Sequence, residues 1–343
     1  MMTVASPLRS TASIALTTCA AALLATGLFA AGCGDDSTGG SGGGSSNCEP
    51  AAGCPAVESD CIAFTDNSAK DSFALRMSHL TVTKPTALTD PTVTNLLTKG
   101  ITLDYTECKS SDGLSLFTGQ GTFNWILEID KTASTLRTGG AVIETDPTKG
   151  YCFVDDTIGG FAVAPLTTNI AIAADGSFEI QDVRDVVVPV FTDVNDPSKV
   201  ILLPLRGVSI FDAALSTDNN CIGTFNSANL DPGNLCLEST DTPMFIDGAS
   251  LQGYVTLEDA DAVLVPELGN ASLCALIAGA QYVDQATKKC QRDANNAIVY
   301  QGDWCQGAME GDPGGPADAS CADAMQLQAT FAAAGATLRT DCP

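Results

Sequence analysis

From Phe64 onward short apolar stretches recur along this chain, and in the first of them apolar and polar positions alternate. Phe73, Leu75 and Met77 alternate with Arg76 and Ser78, Leu80-Thr81-Val82-Thr83 follows, and Pro85 closes the run. A period of two lines one face of a strand. The segments Ile101–Tyr105, Gly121–Asp130, Gly160–Ile172, Ser177–Phe191, Val200–Phe211 and Leu251–Val255 share the texture, with β-branched residues inside and Gly, Asp or Asn between them. The pattern predicts a mainly β fold, an antiparallel sandwich-like or barrel-like domain spanning residues 48–255.

Helical periodicity is confined to a few places. Asp90 can cap a short helix with Pro91 in its first turn, Leu96 and Leu97 on its apolar face and Gly100 at its end. After Val255 the spacing of Thr256 and Asp259 is that of a capping box ahead of Ala260, Val263 and Leu264, and Pro266 stops that run. A second helix is predicted over Ala271–Gln281, with Leu273, Leu276, Ile277 and Ala280 on one face, followed by a loop-like stretch from Cys290 to Cys321. Ala324–Leu338 fits either period: Leu327, Phe331 and Leu338 suit a helix face, whereas Leu327, Ala329 and Phe331 suit a strand. These features predict a helical, disulfide-stapled C-terminal subdomain over residues 256–343.

The runs Val186–Phe191 and Ile201–Arg206 read as a hairpin around Thr192–Lys199. Pairing Asp193 with Val200 would set Phe191 against Leu202 and Pro189 against Pro204. Neither proline can donate to a ladder, so both strands need a free edge or a bulge there. Both faces of this ribbon, residues 186–206, are largely apolar and must be covered by the domain itself or by a protein partner.

At the other end, no charged residue occurs between Arg9 and Asp35, and the segment is built of Ala, Leu, Ile, Thr and Gly. This is the anatomy of a secretory signal, residues 1–32. Its ending, Leu28-Phe29-Ala30-Ala31-Gly32-Cys33, resembles the lipobox of bacterial lipoproteins, with Ala30 where that family usually has Leu. The resemblance implies that Cys33 becomes the lipidated first residue and holds the chain to a membrane through its acyl groups. Gly34–Asn47, with six Gly and four Ser, is a flexible tether. Its reach is roughly 20 Å.

Charge narrows the partners. Loss of Arg9 with the leader moves the net charge from −25 to −26. Such a surface repels phosphate backbones and excludes nucleic acid as a partner. It also repels anionic lipid head groups, which leaves the covalent lipid as the membrane attachment.

Of the 14 cysteines, Cys19 lies in the leader and Cys33 is the lipidation site. The remaining twelve, Cys48, Cys54, Cys61, Cys108, Cys152, Cys221, Cys236, Cys274, Cys290, Cys305, Cys321 and Cys342, are an even set in an exported chain and predict six disulfides. Cys221 with Cys236 and Cys290 with Cys305 are the local pairs that loop spacing suggests. No C-x-x-C occurs and there is a single histidine, so neither a metal nor another cofactor is expected.

Three places carry candidate chemistry. His79, read as sharing a face with Leu75 and Met77, is the only residue on which a Ser-His-Asp site could be built, and no G-x-S-x-G elbow accompanies it. Asp193, Asn195 and Asp196 offer oxygens to calcium but lack the distal Glu of an EF-hand loop, and such residues are also what a polar turn requires. In Gly121–Asp130, Phe123, Trp125, Leu127 and Ile129 share one strand face while Glu128 and Asp130 share the other, their Cα atoms about 6–7 Å apart. Two acids so placed are compatible with glycoside hydrolysis. A half-buried strand with a solvated acidic face looks the same. With only Trp125 and Trp304 available to stack on sugar rings, the leading expectation is a non-catalytic binding, adhesion or scaffolding role at the cell envelope, with a secreted hydrolase using Glu128 and Asp130 as the alternative.

Overall fold

A computed structural model describes Cys61 and residues 63–89, 121–144, 146–180, 184–193, 195, 196, 198–225, 230, 231, 237, 238 and 245–342. The leader, Cys33, the tether, the helix expected over Asp90–Gly100, the strand at Ile101–Tyr105, and Cys48, Cys54, Cys108 and Cys236 lie outside these residues.

The fold is mainly β, as the alternation predicts. Among the described residues, ten of the thirteen strands of the main sheet are β1 (Ser72–Lys84), β2 (Trp125–Asp130), β3 (Thr135–Gly140), β4 (Leu166–Ile172), β5 (Ser177–Ile180), β6 (Arg184–Phe191), β7 (Val200–Phe211), β8 (Ala213–Ala214), β9 (Ala249–Thr256) and β10 (Ala324–Ala336). They form one antiparallel sheet in the order β8-β5-β4-β3-β2-β1-β10-β9-β7-β6, curled into a half-barrel. Phe73, Leu75, Trp125, Leu127, Ile129, Leu136 and Phe331 point into the curl and make its core.

Closure fails at an identifiable place. Gly140 of β3 abuts Pro189 of the edge strand β6 so closely that a Cβ on Gly140 would overlap the proline ring. Pro189 has no N–H to offer a ladder. The two strands touch without pairing.

β10 resolves the ambiguous Ala324–Leu338 segment as a strand, with Ala329, Phe331 and Ala333 inward opposite Val82, Leu80 and Met77. It lies between β1 and β9 and is extended on the β9 side by Cys221–Ile222. Its alanines suit this because both faces are covered: Gly335 approaches so near that a Cβ there would sit 2.6 Å from the Thr65 carbonyl. Tertiary pairing overrides the helix propensity of alanine.

The expected C-terminal helical, disulfide-stapled part is present but only weakly helical. Thr256 of β9 pairs with Ala324 of β10, so residues 257–323 form an excursion between two neighbouring strands of the same sheet. It holds only two six-residue helices, α1 (Leu257–Ala262) and α2 (Leu273–Ala278). The Thr256 side chain caps α1 by accepting from the Asp259 N–H, as its spacing predicts, and Ser272 caps α2 through the Ala275 N–H. The predicted Ala271–Gln281 helix is shorter because Gly279, with φ 82°, breaks it.

The ribbon of β6 and β7 has a different register from that expected. Phe191 faces Val200, Pro189 faces Leu202 and Val187 faces Pro204. Asp193 and Asp196 each accept an N–H two residues on, from Asn195 and Ser198, and these turns take up the residues that would have paired. A two-residue shift leaves every side chain on its original face. Val186, Val188 and Val190 face the half-barrel interior, and the other face packs under Val154, Ile158 and Val163.

Among the described residues four cysteine pairs lie at disulfide distance: Cys61–Cys221, Cys152–Cys342, Cys274–Cys290 and Cys305–Cys321. The suggested pairs Cys221–Cys236 and Cys290–Cys305 are thus incorrect. Pairing of Cys221–Ile222 with β10 carries Cys221 to within 5.8 Å (Cα–Cα) of Cys61, and the packing of α2 does the same for Cys274 and Cys290.

Candidate functional site

The interior of the half-barrel is incompletely filled. A cavity of about 170 Å³ remains there, walled by Trp125, Leu166, Val188, Leu203, Leu251 and Phe331 among others. A bulge at Ser78 places Leu80 and Val82 on its wall, because Met77 opposes Ala333 while His79 already opposes Ala332. Thr138 and Arg184 are the polar residues of the wall. The Thr138 hydroxyl donates to the Ile126 carbonyl at 2.8 Å, so it offers no donor to a guest. Whatever enters must be hydrocarbon over the enclosed part, since a polar group there would lose water without replacement.

A polar vestibule of about 560 Å³ adjoins the cavity. It shares Leu166 and Arg184 with it and adds Thr167, Asp185, Glu310 and Gly311. Asp185 accepts from the Gly207 and Gly311 N–H groups at 2.9 and 3.3 Å, which ties the 307–314 loop to β7. Asp312 braces the loop from within by accepting from Ala308 and Gly314. Glu310 is thereby held at the rim.

The predicted acid pair lies elsewhere. Trp125, Leu127 and Ile129 face inward and Glu128 faces out, as alternation requires. Glu128 contacts Arg137 at 3.3 Å, Arg137 lies over the Phe153 ring, and the Asp130 carboxylate accepts from the Ala133 N–H in the β2–β3 turn. Neither acid borders the cavity or the vestibule.

His79 is also re-aimed by the bulge. It stands on the outer face, not with Leu75 and Met77, and its Nδ1 is 2.7 Å from Asp247 Oδ1. The Thr330 hydroxyl donates to the other Asp247 oxygen at 2.6 Å and Phe245 stacks on the imidazole. Burial alone would push the Asp247 carboxyl up, but hydrogen bonds from His79, Thr330 and Thr81 outweigh it and hold the group below the usual carboxylate range. The cluster clamps the 245–248 segment to β1 and β10. Asp247→Asn is expected to cost about 2 kcal/mol at neutral pH. A depressed carboxyl stabilises above its unfolded value of about 3.9 and loses that contribution as pH falls through the folded one. The deficit of the variant in urea unfolding should therefore shrink between pH 7 and pH 3.

Two metal possibilities meet occupied ligands. Asp261, Cys274 and Cys290 cluster, but the sulfurs pair with each other and Asp261 accepts from Ser272, the Cys290 N–H and Arg292. In the 192–199 loop Lys199 binds Asp193 at 2.7 Å. Much of the acidity has a comparable local use, since Asp66, Asp175, Asp293 and Asp318 also accept the N–H two residues on in their turns.

Sequence reasoning did not find the cavity, Arg184 or Glu310. The one visible sign was a charged residue opening the apolar run Val186–Phe191. Set against protein-family models, curated proteins and solved structures, the chain matches none of them.

Proposed function

We propose that this chain is an acidic, lipid-anchored extracytoplasmic protein with a non-catalytic binding role, and that the half-barrel interior is where it binds. The single observation that carries the reading is an apolar cavity opening into a polar vestibule, the usual form of a small-molecule site. Cysteine pairs at disulfide distance fit an oxidising compartment. Among the described residues no helix is long and apolar enough to cross a membrane, and attachment through Cys33 supplies an anchor that needs none. Glu128 and Asp130 border neither the cavity nor the vestibule, and their placement lends nothing to a hydrolase. The ribbon of residues 186–206, weighed as a surface for a protein partner, has both faces packed within its own chain and serves here as a wall of the site.

The full chain carrying Cys33→Ser is expected to move from the membrane fraction to the soluble fraction and to bind one polarity-sensitive apolar dye. Val188→Phe and Leu203→Phe, filling part of the void by about two and about one methylene equivalents, should weaken the dye about tenfold and about fourfold with the fold intact by circular dichroism. Undiminished binding by both folded variants would place the dye outside the half-barrel and remove this reading.

A further inference from the structure

We infer that the cavity selects its ligand by shape: it takes one straight hydrocarbon chain over about six carbons, laid along β6 and β7, and turns away compact rings and branched ends of similar size. The inference rests on the cavity being the binding site. Its volume of about 170 Å³ is close to that of an apolar protein cavity of about 150 Å³ that holds one benzene, so about six carbons fit. The outline differs from that of a ring. On β7 the wall runs from Leu203 to Ile210, which is roughly 20 Å of strand at about 3.3 Å per residue with one residue taken up by the bulge. A round void of the same volume would be about 7 Å across and, with contacts of about 4 Å at either end, would touch only about 15 Å of strand.

Sideways growth is blocked where β3 meets β6, because Gly140 already abuts the Pro189 ring and leaves no width for a second chain or a ring. The direction of the chain follows from β6. That strand borders the vestibule at Asp185, and Val190 is its last residue on the cavity wall, so the hydrocarbon end runs toward Val190 and the polar end stays in the vestibule. Between the two the wall offers Val186, Val188 and Leu203, and the Thr138 hydroxyl is spent on the Ile126 carbonyl. A polar group carried inward would lose water without replacement.

The test uses the full chain with Cys33→Ser and Trp304→Phe, leaving Trp125 on the cavity wall as the only tryptophan. An uncharged probe, 6-bromo-1-hexanol, is titrated while Trp125 quenching is read, and unbrominated alcohols then compete with it. Affinity of straight 1-alkanols should rise about fourfold per methylene from butanol to about hexanol and then level off. After division by their octanol–water partition, cyclohexylmethanol and 3,3-dimethyl-1-butanol should bind at least about tenfold more weakly than 1-hexanol, the cost of overfilling a slot. Val190→Phe, at the far end, should shorten the levelling length by about two carbons and leave butanol unchanged, and the milder Val190→Leu should shorten it by about one.

If the compact alcohols bind as their partition predicts, if affinity climbs past decanol without levelling, or if folded Val190→Leu leaves the levelling length unmoved, the inference is overturned, while quenching that weakens in Val188→Phe and Leu203→Phe leaves the cavity reading standing. If 6-bromo-1-hexanol does not quench Trp125, both fall.

Discussion

Serine at both Cys152 and Cys342 is expected to lower the melting temperature by about 10 °C or more. These residues are separated by 190 positions, and closing so long a loop removes enough disorder from the unfolded chain to be worth about 5 kcal/mol. The pair also fastens a cover. Tyr151 exchanges backbone hydrogen bonds with Thr337 and Arg339, so the terminal segment lies over Ala74, Ile126 and Ala336 on the outer face of the sheet. Beneath it Arg76, 1% exposed, donates to the Asn124 side chain at 2.7 Å and to the Phe123 carbonyl at 3.3 Å, with Tyr151 against its guanidinium. Freeing the terminal segment would let water reach this group. The double variant and the reduced native chain should both melt early in a calorimetric scan. A shift below about 3 °C would mean that the packing of the cover, not the cross-link, holds it in place.

Asp261→Ala is expected to cost about 3–5 kcal/mol and to loosen the 257–323 excursion before the sheet. Asp261 is 1% exposed and joins three parts of that excursion: the Ser272 hydroxyl that caps α2, the Cys290 N–H beside the disulfide, and Arg292, which also binds Glu258. Burial alone would raise its carboxyl, but Arg292, the Cys290 N–H and Ser272 together hold it below the usual range. Its contribution is therefore full above about pH 4 and fades as acid protonates it. Hydrogen exchange should show the amides of Leu273–Ala278 losing protection in Asp261→Ala at pH 7, and in the native chain at low pH, while those of β1 and β10 stay slow. Uniform loss across both regions would show that the excursion and the sheet unfold as one unit.

Such a division of stability suits a binding protein of the proposed kind. The cavity wall comes from long strands, whereas the vestibule borrows Glu310 and Gly311 from the excursion through the Asp185 bridge. Loosening the excursion should thus alter the vestibule more than the cavity.

What was legible in the sequence was whatever depends on neighbours along the chain. Continuous apolar runs marked the β6–β7 ribbon, and alternation marked β1 and β2 and assigned Glu128 and Trp125 to opposite faces, because side-chain direction in a strand repeats every two residues. Capping spacing located the start of α1, since Thr256 and the N–H it binds are three residues apart. Tertiary structure decided the rest. A single extra residue at Ser78 turned His79 outward, and a bulge arises only when two strands pair. Whether Ala324–Ala336 became helix or strand depended on β1 and β9 lying on either side of it. Cysteine connectivity followed from which chain segments crossed, with partners up to 190 residues apart. The cavity was least visible of all, because it is volume left over when strands from distant parts of the chain curl without closing, and no local pattern records the space between side chains that never meet.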